Sequence, residues 1–213
     1  MPNALDRLKD GIRRFQSGPY AENAEKYKTA ATTPQKPHTL MITCADSRID
    51  IETVTSAAPG ELFTTRNVGN LVPAYGEMLG GVSAVIEYAV NALGVQHIVV
   101  CGHSDCGAMK ALRNPSSLDS LPTVKQWLRN AQAASVVAEM MAKDDETAHD
   151  KLRRLTERNV LLQLQHLKTH PSVAGALAQE KLTVSGWVYD LGTGEVRIAE
   201  DGSSVFEAVG ATA

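Results

Sequence analysis

Side chains able to hold a metal or move a proton fall within two short stretches of this chain. The first, Thr39-Leu-Met-Ile-Thr-Cys-Ala-Asp-Ser-Arg-Ile-Asp50, opens as an apolar, strand-like run and closes with Cys44, Asp46 and Arg48 at two-residue intervals. The second, "VVCGHSDCGAMKAL", carries His103 and Cys106. Cys44, His103 and Cys106 together offer two thiolates and one imidazole, a donor set suited to zinc. His-x-x-Cys spacing lets a single turn present two of the three. Three protein ligands would leave a fourth tetrahedral position for water, the mark of a catalytic rather than a structural site. By residue type and spacing alone, Cys44 and Cys106 read equally well as ligands and as small buried hydrophobes. Cys101, inside an apolar run, reads as a buried hydrophobe.

Other patterns in the same segments fail on inspection. Gly102 to Gly107 has the Gly-x-x-x-x-Gly spacing of a phosphate loop, but Lys110 comes two positions too late and no Ser or Thr follows it. The Gly-x-Gly pair of a dinucleotide fingerprint is missing as well. His166 and His170 are four apart and could share one helical face. No glutamate sits between them in the metalloprotease manner, and Pro171 ends the helix there. Imidazoles near a helix C-terminus are favoured by its dipole, so both read as structural. His38, His97 and His149 show no partner pattern and read as structural or surface residues.

The elements that must position these residues alternate along the chain. Apolar, β-favouring runs occur at Thr39–Thr43, Leu62–Thr65, His97–Cys101 and Leu182–Tyr189, separated by helical stretches at Glu77–Leu93, Gly107–Arg113, Thr123–Met141 and Asp150–Thr169. Strands separated by helices imply crossovers and a parallel sheet, and continuous runs such as "HIVVCG" suit strands buried on both faces. In "VSGWVYDLGTGEVRIAE", two strand-like pieces flank Gly192-Thr-Gly194 and read as a hairpin. The expected architecture is α/β, with a mainly parallel sheet, one antiparallel edge strand and flanking helices. Leu5, Leu8, Ile12 and Phe15 recur at helical spacing, so residues 3 to 16 read as an amphipathic helix. It precedes a polar stretch from Ser17 to Pro37 and is expected to lean on another part of the molecule or on a second subunit. The chain thus divides into an N-terminal helical arm over residues 1–36 and a single α/β domain over 37–213. Ligand sites in open parallel sheets gather at the carboxyl ends of strands, where both motifs fall.

Bulk properties narrow the function classes. At 213 residues the chain should bury roughly 70% of its unfolded surface without staples. A net charge of −3, with no basic tract, argues against nucleic acid as a partner. Three cysteines, a small odd number, suit a reducing compartment. The N-terminal stretch lacks the apolar core of a signal peptide, and no window approaches the roughly 20 apolar residues of a membrane helix. A cytoplasmic protein is expected.

The paired motifs Cys44-x-Asp46-x-Arg48 and His103-x-x-Cys106 resemble those of the β-class carbonic anhydrases. "PGELFTTRNVGNLVP" (59–73), "GGVSAVIEYAV" (80–90), "IVVCGHSDCGAMKAL" (98–112) and "GWVYDLGTGEV" (186–196) are similar to that family in the same order. The resemblance runs from about Gln35 to Val196 and is nearest to the branch holding plant enzymes and bacterial enzymes linked to cyanate breakdown. It implies Zn²⁺ held by Cys44, His103 and Cys106, with hydroxide on the metal attacking CO₂ to give bicarbonate. Asp46 would accept a hydrogen bond from that hydroxide, and Arg48 would clamp Asp46. Gln35 matches a glutamine reaching substrate from the neighbouring subunit. Phe63, Val68 and Tyr88 match pocket walls, and Gly107 a backbone amide facing substrate.

Some members of this family close when the acid equivalent to Asp46 swings onto zinc, helped by bicarbonate bound to a tryptophan, an arginine and a tyrosine. Arg66 and Tyr189 match the last two, but Met41 stands at the tryptophan position, which favours a site that stays open. The family's dimers, embraced by N-terminal helices, imply a homodimer or a dimer-based oligomer. Two rival readings are hydrolysis of carbon disulfide or carbonyl sulfide at the same zinc, and a zinc-stabilised binding module without catalysis.

Overall fold

The computed structural model describes residues 3–76 and 80–210. Four apolar runs form the parallel core of one sheet: β1 (Thr39–Cys44), β2 (Leu62–Asn67), β3 (His97–His103) and β4 (Thr183–Tyr189). β5 (Val196–Glu200) and the short β6 (Glu207–Ala208) follow, and the strand order is β2-β1-β3-β4-β5-β6. β5 runs antiparallel to β4, as the hairpin around Gly194 requires, and β6 antiparallel to β5. Side chains alternate across this sheet. Leu40, Ile42, Ile98, Val100, Val184 and Val188 join one apolar cluster, while Met41, Val99 and Cys101 join the other.

The helices are α1 (Ala4–Ser17), α2 (Pro19–Glu22), α3 (Ala24–Thr32), α4 (Ile51–Thr55), α5 (Gly81–Glu87), α6 (Gly107–Arg113), α7 (Pro122–Trp127), α8 (Gln132–Met140), α9 (Ala148–Lys168) and α10 (Pro171–Ala178). α6 has the expected bounds. α5 starts at Gly81 and widens into a π-helical stretch over Tyr88–Leu93, while residues 77–79 of the expected helix lie outside the described ones. The expected helix 123–141 is two helices joined by a 3₁₀ turn at Leu128–Ala131. Pro171, which ends α9's run, also opens α10 from its first position, where a missing N–H is harmless.

α9 binds the two clusters together, giving Leu152 and Leu155 to one and Val160, Leu164 and Leu167 to the other. Its close approach to the sheet depends on two glycines. A Cβ on Gly186 would lie 2.6 Å from Val160 Cγ1, and one on Gly102 would lie 2.8 Å from Val160 Cγ2. Thr147 caps the helix, its Oγ1 accepting from Asp150 N at 3.1 Å while Asp150 Oδ2 accepts from the Thr147 hydroxyl.

The expected polar stretch 17–37 is largely helical. α1, α2 and α3 bury no residue, yet Phe15, Tyr20 and Tyr27 cluster with ring centroids 5.2–5.9 Å apart. The apolar stripe of α1 faces outward, with Leu8 66% and Ile12 56% exposed.

Candidate metal centre

β1 and β3 are hydrogen-bonded neighbours in parallel register, which brings Cys44 and His103 together at their carboxyl ends. Cys106 is the N-cap of α6, one short turn beyond His103. The sulfur and ring-nitrogen atoms of Cys44, His103 and Cys106 lie within 4.8 Å of one another, and all three residues are buried. His103 has no accessible surface, and neither of its ring nitrogens has a hydrogen-bond partner among the described residues. Buried polar nitrogens left this way cost free energy, roughly 1–3 kcal/mol each. A ligand bond to a metal would remove that cost at one of them, so the trio fits an ion with a nitrogen-and-sulfur preference such as zinc.

The thiols are electrically distinct. The Cys106 thiol beside Cys44 is the main influence drawing Cys44 down to about 4 against its burial, with His103 and the Gly69 amide helping. Cys106 is raised in return, first by Cys44 and then by burial. The Gly69 N–H donates to Cys44 Sγ at 3.4 Å. Cys101 is buried among apolar side chains, and burial pushes its thiol up to about 12, so it is a neutral packing residue as its sequence context suggested.

Asp46 and Arg48 sit beside the trio. Arg48 Nε and Nη2 fork onto Asp46 Oδ1 and Oδ2 at 2.9 and 2.7 Å, and the Arg48 N–H adds a third bond to Oδ1 at 3.0 Å. The guanidinium holds the Asp46 carboxyl well below the usual carboxylate range. Asp46 Oδ2 is 3.9 Å from His103 Nε2, so the carboxylate borders the ligand atoms while its hydrogen bonds go to Arg48. Arg66 is committed to the backbone of this strand end, Nε donating to Cys44 O at 3.0 Å and Nη2 to Asp46 O at 2.5 Å.

The loop after β2 is moored by α9. Asn159 Nδ2 of α9 donates to Gly69 O at 3.1 Å, and Gln163 Oε1 accepts from Val72 N at 2.8 Å. His166 Nδ1 lies 2.9 Å from Val72 O and His170 Nε2 3.0 Å from Pro73 O, the structural use expected of both. The mooring fixes Gly69, whose amide touches Cys44.

The remaining candidates are spread along the sheet, some beside this centre and some at its other end. Gly107 opens α6 directly after Cys106. Phe63, opposite Leu40 near the amino end of β1, packs on one apolar cluster and on Tyr88, with ring centroids 5.9 Å apart, while Tyr88 and Val68 are 50% and 40% exposed. Gln35 precedes the amino end of β1, whereas Cys44 is at its carboxyl end, roughly 17 Å away along the strand. Two residues with direct contacts to the Asp46–Arg48 pair or its supports escaped the sequence reading: Asp105 and Lys110. Their signal was a charged residue between His103 and Cys106, followed by a lysine one turn on.

A family model described as carbonic anhydrase matches residues 39–196. A carbonic anhydrase of Pseudomonas aeruginosa is 49% identical over 195 residues, covering 92% of this chain and 87% of that one. Carbonic anhydrase 1 of Escherichia coli O157:H7 is 43% identical over 200 residues, covering 94% and 90%. Among solved structures, the β-carbonic anhydrase CcaA superposes with a TM-score of 0.91 at 34% identity, covering 97% and 92%. A structure from a report of two tetrameric β-carbonic anhydrases of Sordaria macrospora superposes at 0.83 with 28% identity, covering 95% and 98%.

Proposed function

This chain belongs to the β-class carbonic anhydrases, and from that premise we propose that it catalyses the reversible hydration of carbon dioxide to bicarbonate and a proton. One observation carries the reading: a buried Cys44–His103–Cys106 trio stands next to a carboxylate, Asp46, that is ionised and gripped by Arg48.

Cys44, His103 and Cys106 would hold Zn²⁺. When bound, the ion supplies Lewis acidity that brings a water's pKa toward neutral and makes it a nucleophile. Asp46 stays an acceptor at every working pH, because Arg48 stabilises its charge, so it can take a hydrogen bond from the attacking water and orient it. Arg48 fixes both carboxylate oxygens and leaves little rotation to lose in the transition state. Val68, and Phe63 with Tyr88 reaching in from a second copy, would give an apolar wall suited to an uncharged linear substrate, and the Gly107 amide at the start of α6 can donate to an oxygen that gains charge.

Gln35 would reach the site from a second copy, since its own strand carries it to the other end of the sheet. The uncovered stripe of α1 supports the same assembly, with residues 1–36 as the embracing arm and 37–213 as the enzyme domain. Buried free thiols at positions 44, 101 and 106 suit a cytoplasmic location. No helix among the described residues is long and apolar enough to cross a membrane. The Asp46–Arg48 pair and Met41, buried in the core, support an open site without the bicarbonate switch.

Zinc analysis with stopped-flow CO₂ hydration across pH tests this reading. One zinc per chain and hydration that rises toward alkaline pH are expected. Zinc-loaded protein that hydrates no CO₂ at any pH would overturn it.

A further inference from the structure

Arg48 serves two carboxylates. Beyond its fork onto Asp46, Nη1 donates to Asp105 Oδ2 at 3.0 Å and Nη2 reaches Asp105 O at 3.3 Å. The other Asp105 oxygen, Oδ1, pairs with Lys110 Nζ from α6. Four alternating charges, Asp46, Arg48, Asp105 and Lys110, thus run from the end of β1 to the first turns of α6. They join the two segments that carry Cys44, His103 and Cys106.

We propose that Asp105, with Lys110 behind it, is a positioning residue that keeps Arg48 closed on Asp46 and so keeps the Asp46 carboxylate from turning toward the ligand atoms. The geometry stands without the carbonic anhydrase reading; the kinetic consequence rests on it. Arg48 is about half exposed, and a lone exposed ion pair is weakened by water and by the entropy of a long side chain. A planar guanidinium held on both edges has its orientation set from two directions, which a single partner does not do. Lys110 balances the second carboxylate, so two acids share one guanidinium without net repulsion. Asp46 needs this restraint, because its Oδ2 is only 3.9 Å from His103 Nε2. Asp105 sits at φ +58°, a left-handed conformation that Asp, Asn and Gly adopt more readily than other residues.

That backbone allows clean substitutions. Asp105→Gly removes the carboxylate and suits the turn, whereas Asp105→Asn keeps an acceptor and loses the charge. In full-length protein, the Arg48 Nε–H exchange rate read by ¹⁵N NMR reports the clamp with no need of catalysis. In Asp105→Gly it should rise about fivefold, with kcat for hydration falling by a similar factor at unchanged KM and unchanged zinc content, and Asp105→Asn should lie between. An Nε–H exchange rate in Asp105→Gly equal to wild type overturns the inference. So does loss of zinc with that exchange unaltered, which would make Asp105 a residue of the turn alone. If the exchange responds but zinc-loaded wild type hydrates no CO₂, the functional reading falls and the clamp stands.

Discussion

The two halves of the site are held by opposite means. Cys44, His103 and Cys106 are at most 5% exposed and are fixed by the packing of β1, β3 and α6 around them. Asp46, Arg48, Asp105 and Lys110 form the other half, and three of those four side chains are about half exposed. Burial locates the first half, because atoms packed at crystal-like density have nowhere to go. Directional, charge-assisted hydrogen bonds locate the second, in water, where each bond alone is weak. The division leaves the Cys44–His103–Cys106 trio in the interior and the charges that restrain Asp46 facing solvent.

Breaking the buried half should cost most. Cys106→Ser exchanges a thiolate for a poor zinc ligand, and hydration should fall by well over ~100-fold together with zinc content. Zinc analysis and stopped-flow rates on the same sample check this. Asp46→Asn strikes the exposed half. Zinc should stay bound while kcat falls about 100-fold, since an amide oxygen cannot match a carboxylate as acceptor. Loss of zinc in that variant would show that the two halves are not separable.

Two smaller effects probe how the interior holds its half. Gly186→Val drives a side chain into Val160, and unfolding should become easier by about 1–3 kcal/mol, read by denaturant titration. Gln163→Leu strands the buried Val72 amide at a cost of about 1–3 kcal/mol, with faster hydrogen exchange confined to residues 69–73. The smallest effect is in pH. Burial lowers the pKa of His170 from its usual 6.5, so the unfolded chain binds the proton more readily. Stability is then fully present above pH 6.5 and declines as pH falls toward the folded-state value. His170→Gln should flatten that part of the stability–pH profile.

Much of this was legible in the residues. Each of the four apolar runs is a strand, because continuous β-branched and apolar sequence has few other places to go in a domain of this size. Cys44, Asp46, Arg48, His103 and Cys106 meet because they sit at neighbouring strand ends. What escaped was non-local or lacked periodicity. α2 and α3 carry no apolar stripe and are ordered against α1 through Phe15, Tyr20 and Tyr27. Asn159 and Gln163 read as ordinary polar positions on a long helix, yet they are fully buried and moor a loop about 90 residues away in sequence. Asp105 looked like a spacer between two ligands, since only its meeting with Arg48 in space gives it a purpose.

If a second copy covers the outward stripe of α1, as proposed, the molecule should be sensitive to its own dilution. Leu5, Leu8 and Ile12 are more than half exposed and gain burial only when another surface covers them. A thermal midpoint that climbs with protein concentration is the expected mass-action signature of such a helix, and activity per chain should fall at high dilution as partners part. How crowded the cell keeps this chain would then set how much of it is competent at any moment.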